Sequence, residues 1–261
     1  MRDQLPQEHL RTNGRWARRI ISSQVRLRAL NLLSTNLGID DPHQVWPLVA
    51  LVDRLGLDAT SVGTTIAYVL DYNGRHPDAP ILNGTRFGDV PLISELIERA
   101  ETGRCPEVGR GVKRLSDSLG ERDYAMHVKG LELPAYLPDT NPGYPWAITE
   151  RALYFVRDDL LGLCKFATLN IDHAPQALRH KVGLEIGKEE LLAAVRRAYI
   201  RALWLGRKQG YVRADYRLPS QVFDSPNPAL KLSSHPFVTP QFFDELSRRV
   251  WAVFDKGTAA L

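Results

Sequence analysis

The stretch "IDDPHQVWPLVALVDRLGLDATSVGTTIAYVLDYNG", residues 39–74, reads as two helices joined at a glycine. Asp40 or Asp41 can cap the first and Pro42 suits its first turn. Val45, Leu48, Val49, Val52 and Leu55 recur at the spacing that gathers apolar side chains on one helical face. Gly56 then stops the helix, because glycine takes the left-handed conformation without the penalty a Cβ would bring. Thr60 or Ser61 is placed to cap a second, short helix, expected to close at the Asn73–Gly74 turn.

Outward from this pair the helical period persists. Residues 75–90 are rich in turn formers and read as a connection. Apolar residues return at helical spacing from Pro91 to about Ala100, and again from about Gly109 to Leu119, with Gly120 as a stop. "YAMHVKGLELPAYLPDTNPGYPW", residues 124–146, alternates briefly and then breaks up at Pro134, Pro138, Pro142 and Pro145, as an extended segment between two helical blocks would.

Beyond it, Thr149 can cap a helix carrying Leu153, Val156 and Leu160 and ending at Gly162. A further helix follows, with Leu191, Val195, Tyr199 and Ala202 on one face and acids ahead of arginines, in the sense the helix dipole favours. A last one opens at Thr239–Pro240 and shows Phe242, Phe243, Leu246, Val250 and Phe254. The expected fold class is mainly α. The domains are a basic extension, 1–29, a helical domain, 30–133, and a second helical domain, 134–261.

The 261 residues, 44% of them hydrophobic, suffice for a normal core, and the absence of a long apolar run points to a soluble, cytoplasmic protein with no membrane partner. The net charge of +4 is a local matter. Arg11, Arg15, Arg18, Arg19, Arg26 and Arg28 cluster where no acid occurs between Glu8 and Asp40, and the rest of the chain is mildly acidic. This cluster reads as a solvated helix face or as translated upstream sequence, rather than as a docking surface or a nucleic-acid contact. With only Cys105 and Cys164, neither a disulfide framework nor a self-contained zinc site is implied. Cys105 reads as a loop thiol and His127 as a hydrogen-bonded structural residue.

The chemistry rests on a repeated pattern. "DRLGLD", residues 53–58, and "DLLGLC", residues 159–164, share Asp, two residues, Gly, Leu and a polar sixth position. A single Asp-x-x-Gly-Leu is an ordinary way to end a helix. Two copies, both at helix ends, point to function. A carboxylate in such a turn can accept two parallel hydrogen bonds from a planar donor pair, as it does from a guanidinium, and the aminopyrimidinone edge of a pterin offers a comparable pair.

"DRLGLDATSVGTTIAY", "RFGD", "DYAMHVKGLELPAY" and "DDLLGLCKF", in that order, resemble the aldehyde ferredoxin oxidoreductase family over about residues 30–250, whereas the basic start, residues 1–29, does not resemble it. The resemblance implies two helical domains like that family's second and third, and two motifs serving the two pterins that hold tungsten. Asp53, Gly56, Leu57 and Asp58 would serve one pterin, and Asp159, Gly162, Leu163 and Cys164 the other. Cys164 would also ligate a [4Fe-4S] cluster. The implied cofactors are therefore a tungstopterin (bis-molybdopterin, with tungsten or molybdenum) and that cluster, and the implied reaction is oxidation of an aldehyde to a carboxylic acid with electrons passed to ferredoxin.

The sequence lacks counterparts of the family's β-rich domain, its CxxCxxxC triad, and its histidine and glutamate beside the metal, so no catalytic acid or base is assigned. A cubane cluster needs more than one thiolate. The expectation is a truncated chain that works beside a separate chain carrying the missing domain, and the alternative is a non-catalytic remnant or interaction module that keeps the helical fold without metal.

Overall fold

A computed structural model of the protein describes residues 27–133, 152–163, 171–220 and 240–258. Its fold is mainly helical, and the chain divides into two units, one of Met1–Tyr136 with Leu218–Gln221 and one of Leu137–Arg217 with Val222–Leu261.

The first unit is built on the helix pair around Gly56. Helix α1, Leu27–Leu33, is followed by α2, Pro42–Leu55, and α3, Ala59–Arg75. Asp41 caps α2 by accepting the His43 N–H at 2.9 Å, and Val45, Leu48, Val49 and Val52 are buried, as their spacing predicts. Helix α1 adds Leu32 and Leu33 to the core, and the division drawn at residue 30 falls inside it.

Helix α3 differs from expectation at both ends. Its cap is Asp58 rather than Thr60 or Ser61, because the Asp58 carboxylate reaches the Ser61 N–H at 2.7 Å. It then runs 17 residues to Arg75 instead of stopping at Asn73–Gly74. Asn73 does not turn the chain. Its buried side chain donates to the carbonyls of Ile81 and Thr85 at 3.0 and 2.9 Å and accepts the Ile81 N–H at 2.8 Å, pinning the connection to the helix.

Helix α4, Val90–Glu101, is capped by Asp89 and buries Ile93, Leu96, Ile97 and Ala100. The helix expected from about Gly109 to Leu119 is α6, Val112–Leu119, which stops at Gly120 and starts only after Gly111, whose φ of 82° no helix accommodates; a separate short helix, α5, Pro106–Gly109, precedes it. Cys105 is a core residue rather than a loop thiol: it is fully buried, and burial pushes its thiol pKa up. The segment after Tyr124 forms a hairpin, β1, His127–Val128, and β2, Leu131–Glu132, in which His127 pairs with Glu132. Its two-residue turn, Lys129–Gly130, has positive φ at both positions, and the Gly130 N–H donates to His127 Nδ1 at 3.3 Å.

The end of α3 is tied down electrostatically. Arg75 pairs with Asp71 at 3.0 Å and with Glu121, which also meets His76 Nε2, while the guanidinium lies 3.7 Å from the Tyr124 ring centre. Desolvation works to raise the Glu121 carboxyl, but the hydrogen bonds from Arg75 and His76 outweigh it and hold the pKa below its ordinary 4.5. A depressed carboxyl stabilises the fold above the unfolded value and loses that contribution as pH falls through the folded value. Urea unfolding should therefore show a stability loss below about pH 4.5, and Glu121→Gln should flatten that acid limb by about 1 kcal/mol. An unchanged acid limb in the variant would show that Glu121 contributes nothing to it.

The second unit contains α7, Ala152–Leu160, α8, Ala174–Val182, α9, Lys188–Lys208, and α10, Pro240–Thr258. Buried Ala174, Leu191 and Val195 form its core with Val156, Leu161, Ile171, Leu178 and Ile186 around them. Helix α8 was not foreseen. Helix α10 meets α9 through Arg207–Asp255 at 3.6 Å and receives Tyr216 edge-on to Trp251. The proline-rich segment from Pro134 and the Thr149 cap lie outside the described residues. No helix among the described residues is long and apolar enough to cross a membrane.

Candidate functional site

The two Asp-x-x-Gly-Leu sequences build the same turn. At the first, Gly56 has φ 67° and ψ 24°, its N–H donates to the Asp53 carbonyl at 3.2 Å, and the Leu57 N–H donates to the Val52 carbonyl at 3.1 Å. At the second, Gly162 has φ 64°, its N–H reaches the Asp159 carbonyl at 3.2 Å, and the Leu163 N–H reaches the Asp158 carbonyl at 2.8 Å. In each case the left-handed glycine lets two successive N–H groups fold back on carbonyls of the last turn, which would otherwise lack partners.

The carboxylates that flank these turns are differently engaged. Asp53 is exposed on the last turn of α2, and among the described residues its carboxylate takes no hydrogen bond or ion pair. Leu57 is half-buried and packs against the core of the first unit, which fixes the turn between Asp53 and Asp58. Asp58 is exposed but spends Oδ1 on the Ser61 N–H. Asp159 is exposed on α7. Its neighbour Asp158 is buried and paired with Arg157 Nε at 2.7 Å. Cys164 lies outside the described residues. Asp53 and Asp58 belong to the first unit, and Asp159, Gly162, Leu163 and Cys164 to the second.

Ser61, expected only as a cap, and Glu132, to which the sequence assigns no role, complete the first site. Ser61 donates its hydroxyl to Glu132 Oε1 at 2.9 Å, and the Val112 N–H reaches the same oxygen at 3.4 Å. Asp58-x-x-Ser61 is a recognisable cap pattern, but nothing in sequence spacing brings Glu132 to it. Among the described residues no group of three or more His, Cys, Asp or Glu side chains is placed to hold a metal ion.

A family profile described as "Aldehyde ferredoxin oxidoreductase, domains 2 & 3" matches residues 11–151. The match contains the first motif, begins within the arginine-rich segment and ends before Asp159. The chain is 34% identical over 121 residues to a tungsten-containing aldehyde ferredoxin oxidoreductase of Pyrococcus furiosus, covering 43% of this chain and 20% of that protein. It is 26% identical over 249 residues to the protein of the same description from Thermococcus kodakarensis, covering 75% of this chain and 40% of that protein. It is also 28% identical over 114 residues to an aliphatic sulfonate oxidoreductase, WOR-like subunit, of Pyrococcus furiosus, covering 40% of this chain and 18% of that one. These matches span less than half the length of each relative. The chain belongs to the aldehyde ferredoxin oxidoreductase family and carries that family's helical domains 2 and 3.

Proposed function

We propose that this chain supplies the helical, pterin-binding part of an oxidoreductase that converts an aldehyde to a carboxylic acid and delivers the electrons through an iron–sulfur cluster to ferredoxin. The observation that carries the reading is the exposed Asp53 carboxylate, held beside the Gly56 turn with no competing partner among the described residues. That acceptor fits the donor edge of a pterin. When bound, a tungstopterin supplies the redox centre of the reaction.

Asp53 accepts the paired N–H donors of the pterin ring, and Asp58, with one oxygen already committed, offers its second. Gly56 takes the left-handed φ of 67° that the turn needs and that a Cβ would strain, and the space where that Cβ would stand is open. Asp159, Gly162 and Leu163 serve the second pterin in the same manner, and Cys164 supplies one thiolate to the cluster. Cys105, fully buried with a raised thiol pKa, is no second ligand, so the cluster needs further thiolates beyond the two cysteines of these 261 residues.

Purification of the chain, alone and co-expressed with a chain carrying a CxxCxxxC domain, tests this directly. Tungsten and molybdenum are measured by elemental analysis and pterin by the fluorescence of its oxidised form. Pterin should be retained in the co-expressed preparation, and Asp53→Asn should lower retention about tenfold with helix content unchanged, the cost of losing hydrogen bonds to a charged acceptor. No metal and no pterin in either preparation would overturn the reading.

A further inference from the structure

The hairpin segment "HVKGLE", residues 127–132, has no role in the reading above. We propose that Glu132 is a positioning residue for the first motif, acting through Ser61 on Asp58. The proposal rests on the pterin-binding reading of that motif. Ser61 stands between the two carboxylates: its N–H donates to Asp58 Oδ1 at 2.7 Å and its hydroxyl donates to Glu132 Oε1 at 2.9 Å.

A serine hydroxyl has one hydrogen to give. Three residues beyond the cap, it is close enough to turn back toward the capping side chain, where it would occupy the oxygen an external donor needs. Glu132 draws that hydrogen the other way. Asp58 then has a single internal bond, and its second oxygen stays available to ligand.

Several features hold Glu132 in place. The Val112 N–H, at the start of α6, reaches the same Oε1 at 3.4 Å. The carboxylate thus lies against the N-terminal ends of both α3 and α6, where helix dipoles favour a negative charge. Gly111 leaves room for it: a Cβ there would stand 2.9 Å from Glu132 Oε1 and 3.5 Å from Ser61 Oγ. The Lys129–Gly130 turn sets the register that pairs Glu132 with His127 and so aims the residue at Ser61.

Two measurements on the co-expressed chain test the link, with Glu132→Ala and Glu132→Gln each made alone and in an Asp58→Ser background, which keeps a capping oxygen but removes the carboxylate. Glu132→Ala should speed amide hydrogen exchange at Ser61 and Val112 while leaving the amides of α4 unchanged, and should lower pterin retention about tenfold, a coupling typical of residues sharing one hydrogen-bond network. Glu132→Gln, which still presents an oxygen acceptor, should behave as the native chain in both measurements. In the Asp58→Ser background, Glu132→Ala should lower pterin no further. Unchanged exchange at Ser61, or an equal loss of pterin in both backgrounds, overturns the role of Glu132 alone. A native co-expressed preparation devoid of pterin overturns the reading of the motif itself, whatever the exchange data say.

Discussion

Asn73→Ala is expected to lower the stability of the first unit by about 3 kcal/mol in urea unfolding, although the residue touches no proposed ligand. The side chain makes three hydrogen bonds to the backbone of the connection that follows α3: two to the carbonyls of Ile81 and Thr85 and one from the Ile81 N–H. Both Asn73 and Thr85 are buried, so water cannot replace the lost partner without opening the loop. Each bond contributes about 1 kcal/mol, and a buried orphaned carbonyl costs as much again. Alanine's better helix propensity returns only about 0.6 kcal/mol, too little to offset the loss. Asn73→Asp should be at least as damaging, since it can still accept the Ile81 N–H but sets a buried carboxylate against the two carbonyls to which the amide donated. A variant Asn73→Ala within about 0.5 kcal/mol of the native chain would show that the clamp carries no stability.

Asn73 also shows where sequence reading stops. Asn-Gly is a strong turn signal because both residues tolerate positive φ, and the reading that ended α3 there followed from that preference. The fold overrode it because burial of Val69 and Leu70 holds the helix in place, and the asparagine's hydrogen bonds go to the next loop rather than to its own backbone. The stop at Gly56, by contrast, needed only local information: the apolar face of α2 ends there and glycine alone is comfortable at φ 67°. The same holds for Gly162 and Gly120.

The candidate site divides in the same way. Asp53, Gly56, Leu57 and Asp58 lie within six residues, so their shared turn was legible from spacing. Asp58 as a cap was within reach, three positions ahead of Ser61, but two good cap residues behind it obscured the choice. Glu132 is 71 residues from Ser61. No periodicity relates them. Their meeting depends on a hairpin whose register is set by two positive-φ residues, and on a glycine between α5 and α6 that keeps the gap open.

Gly63→Val is expected to cost the first unit about 3 kcal/mol, because the glycine is where two helices come closest. A Cβ on Gly63 would stand 2.6 Å from the Leu32 carbonyl oxygen and 2.9 Å from Leu32 Cβ, and the first of these is backbone that no rotamer change can move. The native contact is close enough that Asn36 Nδ2, just beyond α1, donates to the Gly63 carbonyl at 3.4 Å. Valine adds two methyl groups to that clash, so α1 must lift from α3 and expose part of Leu32 and Leu33, which are 4% and 0% accessible in the native packing. The comparison that isolates this effect lies on the same helix. Nothing is within 4 Å of a Cβ on Gly74, so Gly74→Ala should stabilise by up to about 1 kcal/mol through propensity alone. If both substitutions stabilised, helix propensity would be governing α3 and the close approach of α1 would be irrelevant. If Gly63→Val destabilises while Gly74→Ala does not, packing against α1 governs the position of α3, and with it the place of Asp58 five residues upstream at the start of that helix.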